Sequence, residues 1–283
     1  MASGQREKVH KIHIGAVLQN IILMVFSITC IFPAVWLFYS SMKSKAEFNA
    51  NPISLPVRLN FEHYIDILTK SDIMLWMGNT IRNTAISLLL VVIIGFIVGY
   101  FIARFHFRGK KAMYGYFMLG MLVPIHALMI PMYVLFTKTG LGDSWYTLLF
   151  PYTAFGIPVA VFLAESYVKN IPKELEEAAA IDGSSFSRTL FTIILPICAP
   201  ILVTAGIIQF FSTWNEFTFA LILISDEALK TVPVGLTIFK GQYSTDYPRM
   251  MTAMLLSILP AMLIYFAFSK QIIKGMVAGA VKG

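Results

Sequence analysis

The chain has 283 residues, of which 57% are hydrophobic and only 13% charged, with a mean hydropathy of +0.73. That is too apolar to clothe a soluble domain in an ordinary surface, so the chain reads as integral to a membrane. A net charge of +7 would point to nucleic acid in a soluble protein, but the Lys and Arg here are sorted by loop, which a bilayer explains and a nucleic-acid partner does not.

A hydrocarbon core of about 30 Å takes roughly 20 apolar helical residues to cross. Six stretches qualify: Ile14 to Tyr39, Ile81 to Phe105, Met113 to Phe136, Tyr146 to Tyr167, Leu195 to Ile224 and Met250 to Phe268. The expected fold is therefore all-α, with six transmembrane helices. Arg6, Lys8 and Lys11 precede the first stretch, which is too long for a signal-peptide core and lacks a small-x-small cleavage site, so it is read as a retained helix. Residues 41–79 form a long external loop, broken by Pro52 and Pro56. Within it FEHYIDIL fits a short amphipathic turn resting on the membrane surface, or a plain spacer.

The second stretch carries a G-x-x-x-G at Gly95 and Gly99, which lets another helix approach closely. The short loop that follows, Arg104 to Lys111, packs four positive charges into eight residues and sets the orientation: it and both termini are expected on the cytoplasmic side. Pro151 and Pro158 interrupt the fourth stretch, and Glu165 sits near its end. Prolines at membrane depth, Pro33, Pro124, Pro131, Pro200 and Pro260 besides those two, point to bent helices around a pathway.

After the fourth stretch comes a helix start. Asn170 is placed to cap, Pro172 suits the first turn, and Glu174, Glu176 and Glu177 favour the positive end of the dipole. Gly183 ends it, giving a helix of about three turns. Leu175, Ala178 and Ala179 make one small apolar stripe for close seating in a groove, while Glu176 and Glu177 offer a partner's Arg or Lys an acidic flank. Helix pattern alone favours a surface helix lying on the membrane.

The fifth stretch, thirty residues or about 45 Å of helix, exceeds one straight crossing and must overhang, tilt or break. Gln209, Ser212, Asn215 and Glu216, with Thr213, interrupt its apolar run and are candidates to line a solute path. Two readings stand for Glu216, which at roughly 30 Å beyond Pro196 also fits a cap or ion pair near the outer surface. The neighbouring Phe210, Phe211, Trp214, Phe217 and Phe219 are read mostly as packing. The polar segment 240–247 is an external connector.

Cys30 and Cys198 lie far apart in apolar runs, without metal or redox spacing. There is no G-x-x-x-x-G-K-[ST], H-E-x-x-H or G-x-S-x-G, so no catalytic residue, metal site or nucleotide site is assigned. Energy comes from another chain, or none is used.

Residues 177–196, EAAAIDGSSFSRTLFTIILP, fit EAA, three residues, Gly, nine residues, I-x-L-P without a gap. This resembles the EAA loop of the permease subunits of ATP-binding-cassette importers. With SMKSKAEFNANPISLP at 41–56, WNEF at 214–217 and AGAVKG at 278–283, the chain is similar over nearly its whole length to permeases of the carbohydrate-uptake group, on the side of the maltose transporter's smaller membrane subunit. The resemblance implies a type I importer permease fold with a cytoplasmic EAA coupling helix. It also implies a division into residues 1–77 (tail, first helix, external loop), 78–270 (the type-1 transmembrane domain) and 271–283 (a cytoplasmic tail along the ATPase). Glu177, Ala178, Ala179, Asp182, Gly183, Leu195 and Pro196 become ATPase-coupling residues. Gly241, Gln242, Tyr243 and Ser244 become the loop that contacts a binding protein.

The implied partners are a second permease, an ATPase dimer that holds ATP and Mg, an extracytoplasmic solute-binding protein and the bilayer of a bacterial cytoplasmic membrane. The chain itself would bind no cofactor and catalyse nothing. A permease for another small polar solute stands beside the sugar reading. A stand-alone secondary transporter or channel needs coupling-ion groups in the membrane, and Glu165, Glu216 and His126 are few and scattered, with no inverted halves. Which sugar is carried, and whether this chain touches it, stay open.

Overall fold

The structure, a computed structural model, describes residues 14–239 and 246–280, and these are helical wherever they are regular. In chain order the helices are α1 (Ile14–Ser40), α2 (Lys45–Ala50), α3 (Glu62–Lys70), α4 (Ile73–Arg104), α5 (Lys110–Gly120), α6 (Met129–Thr139), α7 (Leu149–Val168), α8 (Glu174–Ile181), α9 (Phe186–Arg188), α10 (Leu195–Trp214), α11 (Thr218–Leu223), α12 (Val232–Gly235) and α13 (Tyr247–Ala280). Among the described residues five helical segments are long and apolar enough to cross a bilayer, or six when the bent pair flanking residues 121–124 counts as one span. The chain is a multi-pass membrane protein.

The third expected span is not one straight helix. Its two halves meet at 93° across residues 121–124. Pro124 supplies the reason: it has no N–H to continue the ladder, and Met121–Pro124 instead lead into a tight 3₁₀ turn at Ile125–Leu128. The fifth expected span breaks too, because α10 ends at Trp214 and α11 begins at Thr218. By contrast the fourth holds as a single helix through Pro158.

Helix α4 begins eight residues before the hydropathy of the sequence places it. Its first turns carry Asn79, Thr80, Asn83, Thr84 and Ser87, all buried. They face protein rather than lipid: the Asn79 amide donates to the carbonyls of Ala228 and Lys230, and Thr80 Oγ1 accepts from the Val232 N–H at 2.9 Å.

The centre of the bundle is α4 laid against α7, with α10 packed on both. Gly95 faces Ala160 and Gly99 faces Ala164, and Cβ atoms built on these glycines would lie 2.4 and 2.7 Å from the alanine methyls. The same offset of 65 positions links Val91 to Gly156, so the two helices run parallel. Glycines are required here because only a bare backbone permits that approach. Around the seam Phe96, Val168, Leu190, Ile194 and Cys198 form an apolar core.

Helix α1 stands at the edge of the bundle against α13, and none of its apolar window is buried within the chain. Beyond it, Lys43 is fully buried in the loop that caps one end. Its ammonium donates to the carbonyls of Asn51 and Pro52 and to Ser54 Oγ at 3.0–3.3 Å, and lies over the Tyr39 and Phe48 rings. Burial holds its pKa below the ordinary lysine value, with the nearby Glu47 charge opposing. The segment FEHYIDIL, expected as a short turn, lies mostly in a helix of nine residues, α3, whose Ile67 is buried against Ile73 and Trp76.

Candidate functional site

At the end of the bundle where α4 finishes, α8 projects as a helix of eight residues, about two turns rather than three. Asn170 does not cap it. Its amide donates to the Ser166 carbonyl at 2.7 Å, and the cap position falls to Lys173, without a side-chain bond. The chain leaves α8 through Asp182 and Gly183, which has φ +76, a left-handed conformation that favours glycine. A Cβ there would meet nothing within 4 Å, so the demand is on the backbone alone. Ser185 then caps the short α9, accepting from the Arg188 N–H at 3.4 Å. A π-helical turn, Thr189–Ile194, leads into α10, where Leu195 and Pro196 are the first two residues. Pro196 has no N–H to continue the ladder, and the turn before it is widened: the Leu195 N–H donates to the Leu190 carbonyl, five residues back.

The sides of α8 are divided differently from the expected stripe. Ala179 is buried at 6% exposure and seats the helix on the bundle, whereas Leu175 and Ala178 are exposed and Ile181 is 86% exposed. Glu174 and Glu177 share the exposed side. Glu176, expected to offer its charge to a partner, points inward. Its Oε1 accepts from Arg104 Nε at 2.6 Å and its Oε2 from the Tyr100 hydroxyl at 2.9 Å. Arg104 Nη2 donates in turn to the Ile171 carbonyl at 2.8 Å.

A cavity of about 240 Å³ opens between α7, α10 and α11. Gln209, Ser212 and Glu216 line it, together with Thr213, Tyr152 and Phe155. Asn215 does not: it turns to a second cavity beside α13, and its amide donates to the Phe211 carbonyl at 2.9 Å. Glu216 both lines the cavity and caps a helix start. Its carboxylate accepts from the N–H groups of Phe219 and Ala220 at 2.7 and 3.2 Å, satisfying the start of α11 across the break, and from Tyr152 Oη at 2.9 Å, while lining the cavity. Gln209 Nε2 donates to the Tyr152 carbonyl at 3.0 Å. Phe155 and Phe219 stack in the wall with centroids 5.6 Å apart.

Tyr152 was not legible as part of this site, being one hydroxyl in a proline-interrupted apolar run. The other ionisable candidates stay apart: Glu165 is buried and paired with Lys169 one turn on, and His126 is exposed on the 3₁₀ turn. Among the described residues no cluster of His, Cys, Asp and Glu could hold a metal. Gly241, Gln242, Tyr243 and Ser244 lie outside the described residues, as do 281–283 of the tail.

The sequence pattern of the binding-protein-dependent transport system inner membrane component family matches residues 92–277. The chain is 36% identical over 264 residues to a putative ABC transporter permease protein, ORF2, of a Caldicellulosiruptor species, covering 93% of this chain and 96% of that one. It is 32% identical over 275 residues to the trehalose/maltose transport system permease protein MalG of Thermococcus litoralis, covering 94% and 98%. In fold it matches a chain of a bacterial ABC transporter involved in importing the acidic polysaccharide alginate, with a TM-score of 0.80 at 21% identity over 95% of this chain and 99% of that one. The chain belongs to the family of binding-protein-dependent transport system inner membrane components.

Proposed function

We propose that the chain is the transmembrane subunit of an ATP-driven importer that carries a sugar or oligosaccharide across the bacterial cytoplasmic membrane. The observation that carries this reading is α8: a short helix, seated through Ala179 and Glu176 and ended by Gly183, that leaves Ala178 and Ile181 uncovered beside Glu174 and Glu177. A small apolar face flanked by carboxylates suits a groove on a soluble ATPase subunit. The four positive charges at 104–111 support a reading in which that end of the bundle, with both termini, faces the cytoplasm.

Glu177, Ala178, Ala179, Asp182 and Gly183 then form the docking element, and Leu195 and Pro196 begin the helix that receives its motion. Residues 78–270 are the type-1 transmembrane domain and 271–283 the cytoplasmic tail. ATP and Mg are held by the ATPase partners. A sugar is favoured as cargo because relatives along the whole chain are named for trehalose and maltose, diacetylchitobiose and arabinooligosaccharides. The cavity at Gln209, Ser212 and Glu216 is one wall of the path. At about 240 Å³ it is smaller than the roughly 300–1,000 Å³ of a complete small-molecule site, as expected when a second permease supplies the opposite wall.

The test is uptake into proteoliposomes that contain the chain with its partner permease, ATPase and binding protein, using labelled maltose, trehalose, chitobiose and arabinotriose. ATP-dependent accumulation of one of these is the expected result. Accumulation without the ATPase would overturn it in favour of a secondary transporter.

A further inference from the structure

We infer that Arg104 and Glu176, with Tyr100, form the joint through which the docking helix α8 moves the membrane bundle. The inference rests on the permease reading and adds to it a pair of positioning residues within this one chain.

Three observations meet at the joint. First, the pair is shielded: the Arg104 side chain is 6% exposed and that of Glu176 21%. A charge-assisted bond held away from water keeps its strength and its geometry. Second, it is braced. Glu176 spends one oxygen on Arg104 and the other on Tyr100, both on α4, while Arg104 also holds the Ile171 carbonyl in the segment that joins α7 to α8. Rings of Phe101, Phe105 and Phe186 pack around Tyr100 with centroids about 6 Å apart, so α9, on the far side of Gly183, closes on the same corner.

Third, the joint sits just beyond the glycine seam. Tyr100 and Arg104 follow Gly99 on the helix whose Gly95 and Gly99 touch Ala160 and Ala164 of α7. A closely packed pair of this kind moves as one body rather than deforming. From Ala164, twelve residues of α7, roughly 18 Å at helical rise, lead to Tyr152 and the Glu216 carboxylate in the cavity wall. Displacing α8 therefore pulls on α4 and α7 together, and α7 ends at the solute path. Ala179 alone, the one buried contact of α8, offers packing without directional restraint.

The experiment uses the complete complex in nanodiscs, with Cys30→Ser, Cys198→Ala and Ser212→Cys. Ser212 lines the cavity, so its labelling by a charged methanethiosulfonate reports the state of the path. The probe is that reagent, applied without nucleotide and after ATP–vanadate trapping. In the otherwise native complex the two labelling rates should differ by about 5- to 150-fold, the span of ordinary coupling between sites. With Glu176→Gln the ATPase stays bound and hydrolyses ATP, but the ratio falls toward one. Because that variant strands a nearly buried Arg104, Arg104→Gln with Glu176→Gln is tested beside it: neutral on both sides, it should fold and show the same loss. Tyr100→Phe, which keeps the ion pair, should retain most of the ratio.

Wild-type ratios in the two neutralised variants would overturn the joint while leaving the permease reading intact. Loss of the ATPase from those variants would also overturn it, by placing Glu176 in docking rather than transmission. Failure of the native complex to retain an ATPase at all would remove the permease reading, and the joint with it.

Discussion

One methyl group added to Gly95 should destabilise the chain, and one removed from α7 should repair it. A Cβ on Gly95 would lie 2.4 Å from the Ala160 methyl, with the Ala160 carbonyl carbon and Cα at 3.1 and 3.3 Å. Carbon atoms rest about 3.5–4.0 Å apart, so Gly95→Ala parts α4 and α7 by roughly 1 Å. Overpacking of this size costs about 1–3 kcal/mol. Ala160→Gly removes the nearest atom and leaves contacts that neighbours absorb by a few tenths of an ångström, so the double variant recovers most of the loss.

Gly99 is the internal control. Its Cβ would meet the Ala164 methyl at 2.7 Å but also the backbone nitrogen of Glu165 at 2.9 Å and the carbonyl of Val161 at 3.1 Å. Ala164→Gly relieves only the first of these, so Gly99→Ala stays destabilised in its double variant. Thermal unfolding midpoints of the purified variants in one detergent decide the matter. Equal rescue at both sites, or a wild-type midpoint for Gly95→Ala, refutes the close parallel seam.

Three further outcomes follow from the same structure. Burial lowers the folded pKa of Lys43, so the unfolded chain binds that proton more tightly; stability should rise with pH in the interval below 10.5, and Lys43→Met should flatten that slope in thermal melts. At Gly183 the demand is a left-handed backbone with open space around it, so Gly183→Asn should keep uptake coupled to ATP hydrolysis better than Gly183→Val, measured as solute carried per ATP. Glu216→Gln weakens a carboxylate that accepts three bonds, and at about 1.5–3 kcal/mol for each bond to a charge it should lower the melting midpoint more than Tyr152→Phe, which removes only one donor.

Much of this architecture was legible because apolar runs and prolines act locally. The residues of α1, α7 and α13 announce themselves by length and hydropathy, and Gly183 by its place after an alanine-rich turn. What hydropathy missed has one physical cause: it scores a side chain without knowing what faces it. Asn79 reads as the last residue of the external loop, yet it and Thr80 are buried and bonded to the 226–235 segment, and α4 extends back to Ile73. Glu176 read as an outward charge because its partner, Arg104, lies seventy-two positions earlier. Gly95 and Gly99 were visible as a motif, but only the fold names Ala160 and Ala164 as what they admit. Tyr152 enters the cavity through a contact with Glu216 across sixty-four positions, and no local pattern carries that.

The central claim is that the face of α8 carrying Ala178 and Ile181 seats an ATPase subunit. A photo-crosslinking amino acid at Ile181, 86% exposed, tests it directly against one at Leu55, 71% exposed in the loop before α3. In membranes holding the assembled complex, position 181 should capture the ATPase subunit and position 55 should not. Capture of the ATPase from position 55, with none from 181, would contradict both the docking face and the orientation of the chain.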